Sequence, residues 1–140
     1  MTSRREARRI AVDILYQADL TASDPAEVLR SWVEAGREVP AFAAELVGGV
    51  EEHLHEIDLL LEGHSEGWTV ERMTALDRTI LRVAVLELLH RPDVPVSVAI
   101  SEAVQTASDL SAEQASRFVN GILGRIAAER AAAIRDPAES

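Results

Sequence analysis

The stretch from Leu76 to Ile126 reads LDRTILRVAVLELLHRPDVPVSVAISEAVQTASDLSAEQASRFVNGILGRI and holds three closely spaced helical patterns. Its first part, up to His90, is apolar on nearly all sides, which is typical of a helix packed against neighbours over most of its circumference. Pro92 and Pro95 end this helix, because proline lacks an N–H donor and disfavours helical geometry in the residue before it. We therefore expect this helix to lie at the centre of the fold.

Two more helices are predicted after the proline break. The first covers about residues 96–110, with apolar side chains recurring on one face. The second opens at Ser111, because Ser111-x-x-Gln114 has the form of a capping box. Gly121 lies inside this last helix, where glycine costs about 1 kcal/mol relative to alanine. A close approach by another helix or by a partner is the expected reason for that glycine.

Length and composition indicate one all-α domain. A chain of 140 residues can build one substantial core, and no alternating run of strand type is bounded by turn residues. We predict a compact bundle of about seven helices in two helical subdomains, within a single domain at 1–131. Residues 132–140 are predicted to be a disordered tail. The absence of cysteine excludes disulfides and thiolate metal sites.

The middle of the chain contains weaker signals. Asp24 is placed to cap a helix that starts at Pro25. One longer helix is predicted over about 40–61, and the Gly48-Gly49 pair inside it indicates tight packing or a bend. Residues 63–67 are predicted to form a turn, and Trp68, which follows it, is expected to anchor that turn to the core.

The charge distribution is uneven. The net charge of −10 argues against a nucleic-acid ligand when taken alone. Residues 1–9, however, contain four arginines and one acidic residue, which leaves 10 basic and 23 acidic side chains in the rest of the chain. This asymmetry indicates one small anion-binding surface on an otherwise repulsive body.

The first helix carries these arginines. Ser3-x-x-Glu6 forms a capping box, so Arg4 and Arg5 lie in the first turn, where the helix dipole disfavours cations and favours a bound phosphate. The arginines at 5, 8 and 9 have the spacing of residues that share a helix face. A solvated basic terminus without a ligand is the alternative interpretation.

Enzymatic chemistry has little support. Two Glu-x-x-His pairs, which start at Glu52 and Glu87, are of the type found in di-iron helix bundles, but the further inward glutamates of such a centre are missing. Glu87 is better placed to pair with Arg91, and His53 and His55 cannot share a metal on a regular helix. We predict no enzyme, no metal site and no cofactor.

No segment has the pattern of a signal peptide or of a membrane span, which predicts a cytoplasmic protein without a membrane partner.

Several segments together resemble the NusB family of bacterial transcription antitermination factors. In the second half of the chain they are ILRVA at 80–84, DVP at 93–95, AISEA at 99–103 and RFVNGIL at 117–123. The arginine-rich segment RREARRIAVDILY at 4–16 is similar to the family's N-terminus. The resemblance covers nearly the whole chain and implies an all-helical fold.

The resemblance also implies a function. Members of the family bind boxA, a short single-stranded RNA signal in ribosomal RNA leaders, together with the small-subunit ribosomal protein NusE. They act within the RNA polymerase antitermination complex and support processive transcription of ribosomal RNA operons. Carried over by position, the RNA-binding residues are Arg4, Arg5, Arg8, Arg9, Arg117, Phe118 and Asn120. From the residues alone, Phe118 can equally pack in the core and Asn120 can be an ordinary surface residue.

The resemblance places the NusE interface elsewhere on the chain. The partner-binding positions are Tyr16, Asp77, Arg82 and Gln114. From the residues alone, Tyr16 can pack beside Val12, and Asp77 can be the capping-box acid that follows Thr74. Glu6 interrupts the arginine run, and Gln114 replaces a common acidic residue, so RNA binding that requires NusE is one hypothesis. A helical protein-binding scaffold with weak or no RNA binding is the alternative function, and a homodimer stays open.

Overall fold

Seven α-helices follow one another in the computed structural model, which describes residues 2–135, with side chains through residue 132. They are α1 (Arg4–Thr21), α2 (Pro25–Glu34), α3 (Ala41–Glu52), α4 (Leu54–Gly63), α5 (Ala75–His90), α6 (Val96–Leu110) and α7 (Glu113–Arg135), and one 3-10 turn (Val70–Arg72) precedes α5. The predicted all-α fold is confirmed. Of the tail predicted at 132–140, residues 132–135 belong to α7 and residues 136–140 lie outside the described part of the chain.

Helix α5 is central, as its apolar circumference predicts. It packs against α1, α3, α4, α6 and α7, and most of its length is buried. Helices α1, α2 and α3 contact one another, and so do α5, α6 and α7. These two groups correspond to the two predicted subdomains, and the contacts of α1 and α3 with α5 join them around one core.

Three predicted helix caps are present. The Ser3 hydroxyl accepts the Glu6 N–H at 3.1 Å, the Asp24 carboxylate accepts the Ala26 N–H at 2.9 Å, and the Thr74 hydroxyl accepts a backbone N–H at 3.1 Å. Each cap satisfies an N–H group that has no partner within its helix, which is worth about 1 kcal/mol. The arginine helix α1 therefore starts where its sequence indicates.

The predicted cap at Ser111 is wrong. Helix α7 begins at Glu113, and the Ser111 hydroxyl instead donates to the Asp77 carboxylate at 3.1 Å. The acid at 77 lies 34 positions earlier in the chain. Local spacing could not identify this competing partner.

The single helix predicted over about 40–61 is two helices. The chain breaks at His53, whose φ of −108° and ψ of 19° lie outside helical geometry, and not at the glycine pair. Gly49 packs tightly, because a Cβ at this position would lie 2.6 Å from Leu86 Cδ2. Gly48 is exposed and a Cβ there would contact nothing within 4 Å.

Two further expectations need correction. Trp68 does not anchor its turn in the core, since 51% of the residue is exposed. At Gly121 no other helix of the described chain approaches, because a Cβ there would meet only the Arg125 guanidinium, at 3.4 Å.

Across residues 2–135, no helix combines the length and the apolarity needed to cross a membrane.

The two adjacent glycines of α3 allow a matched stability test. Gly49→Ala should lower the free energy of unfolding by about 1–2 kcal/mol, because the clash with buried Leu86 outweighs the gain in helix propensity. Gly48→Ala should raise it by about 0.5–1 kcal/mol, since only the propensity changes there. Urea unfolding followed by circular dichroism measures both variants. Equal stabilisation by the two substitutions would show that the Leu86 side chain moves aside without lowering the free energy of unfolding.

Candidate nucleic-acid interface

The arginines of α1 lie beside acidic groups of α5, of α6 and of the turn between them. Each of the four arginines forms a salt bridge with a different carboxylate. Arg4 and Arg5 are exposed, Arg9 is half-buried and Arg8 is buried. The four arginine side chains therefore differ in their access to a ligand, although their spacing in the sequence suggests that they act together.

Arg8 is a structural residue. Its Nε donates to Glu87 Oε1 at 2.9 Å and its Nη2 donates to Glu87 Oε2 at 2.8 Å. Arg8 is 7% exposed and Glu87 is 2% exposed, so both charges are removed from water. The prediction that Arg8 contacts RNA does not fit this geometry, because the guanidinium already holds α1 on α5. The expected Glu87 to Arg91 pair is also wrong.

The other three arginines are held more weakly. Arg4 Nη2 donates to an aspartate in the turn after α5 at 2.8 Å, and Arg5 Nε donates to a glutamate of α6 at 3.0 Å. Arg9 Nη2 donates to an aspartate at the end of α6 at 2.8 Å, and its Nε donates to a threonine hydroxyl at 3.1 Å. The three acidic partners are Asp93, Glu102 and Asp109. Exposed pairs of this kind contribute about 0–1 kcal/mol, so another anion can replace the carboxylate.

These pairs consist of full charges at neutral pH. The Arg9 guanidinium holds the pKa of Asp109 below its usual range, and Arg4 together with Arg91 does the same for Asp93. The hydrogen bond to Glu102 raises the pKa of Arg5. A ligand that binds the arginines must therefore compete with ionised carboxylates.

Tyr16 continues the arginine surface along α1. With 3.6 residues per turn, Arg5, Arg9 and Tyr16 lie within about 40° of one another around the helix. Tyr16 is half-buried and two turns beyond Arg9. The predicted RNA-binding positions Arg5 and Arg9 thus share one face of α1 with the predicted partner-binding position Tyr16.

The start of α7 presents its predicted residues on two sides. Arg117 is highly exposed, with Glu113 3.5 Å away, and Asn120 is exposed. Phe118 is half-buried and packs partly against the core. Because residues two apart differ by about 200° around a helix, Phe118 and Asn120 face opposite ways. Arg117 and Asn120 are the pair that can act on one ligand group.

Phe118 lies instead in a groove of about 410 Å³ between the 3-10 turn, the start of α5 and the start of α7. The groove also contains the predicted partner residues Asp77 and Gln114 and the exposed Trp68. Sequence reasoning missed Trp68 as a surface residue, although its position directly after a glycine-bounded turn was a signal for exposure. The structure therefore groups Phe118 with two of the predicted partner-binding positions, Asp77 and Gln114.

Arg82 lies apart from this groove. Its guanidinium donates to both carboxylate oxygens of Asp58 at 2.9 Å, which ties α5 to α4. It lines a different cavity, of about 520 Å³, with residues of α1, α2 and α3. The structure does not bring Arg82 together with Asp77 and Gln114.

The fold and the arginine face define a class of protein, an all-helical one with a surface suited to anions. A family model described as the NusB family matches residues 5–128, and the chain belongs to the NusB family. The transcription antitermination protein NusB of Acidothermus cellulolyticus is 44% identical over 138 residues, which is 98% of this chain and 95% of that protein. NusB of Rubrobacter xylanophilus is 47% identical over 86% of this chain and 87% of that protein.

Solved structures agree with this family assignment. The structure of T. maritima NusB superposes with a TM-score of 0.83 at 34% identity and covers 91% of this chain and 92% of that chain. A crystal structure of the antitermination factors NusB and NusE with double-stranded RNA has a TM-score of 0.79 at 28% identity, with 90% and 96% covered. Membership of a family whose named members are antitermination proteins makes this chain a binding factor and not an enzyme.

The buried ion pair gives a stability prediction. Arg8→Met should lower the free energy of unfolding by about 3–5 kcal/mol, because it leaves the Glu87 charge buried without a partner. Arg8→Met combined with Glu87→Met should recover most of the loss, since a buried pair is often replaceable by apolar side chains. Chemical denaturation measures these changes. The control is Arg5→Ala, an exposed pair of the same helix, which should cost under about 1 kcal/mol. A loss no larger than that control would contradict a structural role for Arg8.

Proposed function

We propose that this protein is a transcription antitermination factor that binds boxA RNA of ribosomal RNA leader transcripts together with NusE. It works in the cytoplasm with the RNA polymerase antitermination complex and supports processive transcription of ribosomal RNA operons. The observation that carries the proposal is the surface of α1, where the guanidinium groups of Arg4, Arg5 and Arg9 are paired with displaceable carboxylates. Family membership and the antitermination relatives support it.

RNA phosphates replace the three carboxylates in this proposal. Arginine neutralises phosphate and releases counterions, so binding is salt-dependent. Arg117 and Asn120 of α7 extend the contact, the first to a phosphate and the second to a base edge. Arg8 takes no direct part and positions the helix. The requirement to displace carboxylates makes the isolated protein a weak binder, and NusE supplies the remaining affinity.

NusE docks next to the arginine face in this proposal. The groove of Asp77, Gln114 and Phe118 has a half-exposed tryptophan at its edge, and aromatic residues in pockets commonly dominate protein interfaces. Tyr16 lies at the far end of the arginine face of α1 and extends this contact. The acidic body of the protein steers a basic ribosomal protein towards it.

The first experiment measures fluorescence anisotropy of labelled boxA RNA and of a scrambled control, with the protein alone, NusE alone and their mixture. The mixture should bind boxA more tightly than either protein does. Arg5→Ala should weaken this binding and reduce the slope of log K against log salt by about 0.7, the contribution of one single-stranded phosphate contact. Arg30→Ala, an exposed arginine of α2, is the matched control and should leave both quantities unchanged.

Phe118→Leu tests the second part of the site, because leucine keeps the packing and removes the stacking surface. Weaker RNA binding with unchanged NusE binding would assign Phe118 to a base, which is worth about 1–3 kcal/mol of stacking. Weaker NusE binding would assign it to the protein groove. If no mixture binds boxA but the two proteins still associate, the protein is a helical protein-binding scaffold and the RNA proposal fails.

Removing a carboxylate that pairs with an arginine should strengthen RNA binding, whereas removing the arginine should weaken it. Glu102→Gln should strengthen RNA binding by about two- to fivefold, because it frees Arg5 from a pair worth up to about 1 kcal/mol. Glu27→Gln on α2 removes the same charge from an exposed position far along the chain and serves as the control. Anisotropy titrations at one fixed salt concentration compare the two variants. An equal gain from both would mean that net charge alone, and not release of Arg5, controls affinity.

A further inference from the structure

Two histidines and one glutamate meet on the surface of the protein. They are His53 at the break between α3 and α4, Glu56 in the first turn of α4, and His90 at the end of α5. One ligand atom from each residue lies within 4.8 Å of the other two. His53 and Glu56 are three residues apart in the chain, and the end of α5 brings His90 to them.

The distances fit a metal ion. His90 Nε2 lies 2.8 Å from Glu56 Oε1, and His53 Nδ1 lies 3.7 Å from the same oxygen. Zinc binds nitrogen and oxygen at about 2.0–2.2 Å, so the ligand atoms of a tetrahedral ion lie about 3.4 Å apart. These two observed separations bracket that value.

A simple ion pair does not explain the whole arrangement. A hydrogen bond between His90 and Glu56 accounts for two of the three residues. The His53 ring is also stacked on the His90 ring, with centroids 3.8 Å apart and planes 17° from parallel. Two imidazoles and one carboxylate are a donor set for a transition metal. A ring nitrogen binds a metal in the plane of its ring, so the two stacked rings turn relative to each other when both bind one ion.

We propose that His53, Glu56 and His90 form a binding site for one divalent transition-metal ion of the Zn²⁺ type, with water in the remaining position. Two imidazoles and one carboxylate are an established zinc ligand set. The Glu52 carboxylate lies 3.7 Å from His53 Nε2, which is beyond hydrogen-bond distance but places an acidic group near the nitrogen that does not bind the metal.

The ion ties the α3 and α4 junction to the end of α5. The residue after His90 is Arg91, which donates to Asp93 at 3.1 Å, and Asp93 also holds Arg4. The site therefore lies at the base of the turn that borders the arginine face. Metal binding stabilises the folded protein, because the unfolded chain does not hold the three ligands together.

The test uses the full chain without a histidine tag, freed of metal by a chelator that is then removed. Isothermal titration calorimetry with Zn²⁺ should give one saturable site per chain, and Zn²⁺ well above the dissociation constant should raise Tm by about 5 °C. Co²⁺ should bind at the same site and show the visible absorption of a low-coordinate ion. Mg²⁺, which prefers an octahedron of oxygen ligands, should do neither.

Two variants separate the site from general histidine binding. His53→Ala and His90→Ala should each abolish the Tm shift and the calorimetric site, while their Tm without metal shows that they fold. The control is His55→Ala, an exposed histidine two residues from the site, which should keep both signals. Absence of a saturable site in the unmodified protein, or a site that survives the double substitution of His53 and His90, would overturn the proposal.

Discussion

The buried ion pair between Arg8 and Glu87 is the constraint on which the arrangement of this protein depends. It joins the first helix to the central helix through three hydrogen bonds in a place that is almost closed to water. A buried pair of this kind adds little net stability, but a wrong rotation of α1 would leave both charges unpaired. The pair therefore selects one orientation of α1, in which Arg4, Arg5 and Arg9 border α6.

The sequence predicted what local rules control. The caps at Ser3, Asp24 and Thr74 and the central position of α5 follow from spacing within a few residues, and the structure has them. The misassigned partners of Glu87 and Ser111 have one cause, which is a competing partner far along the chain. Glu87 is 79 positions from Arg8 and Asp77 is 34 positions from Ser111, so no local pattern could show that these pairs form.

The sequence names candidate residues for the site, but it does not show which of them lie together. The arginine run and the family resemblance identify the residues of α1 and α7, but periodicity alone could not distinguish a buried Arg8 from an exposed Arg5. The structure also separates positions that the resemblance treats as one set. Phe118 lies with Asp77 in a groove, whereas Arg82 is held by Asp58 on another part of α5. Tertiary contacts decide these assignments.

The exposed arginines of α1 are already neutralised by the protein's own carboxylates, and this has a consequence for selectivity. A lone phosphate, or a nucleotide with few charges, must displace a carboxylate from an arginine to gain one contact. The net gain in binding free energy is therefore small. A polymer that offers several phosphates at the right spacing loses its translational freedom once and gains every contact, as any multivalent ligand does. We therefore expect this surface to bind polyanions selectively over small monomeric anions.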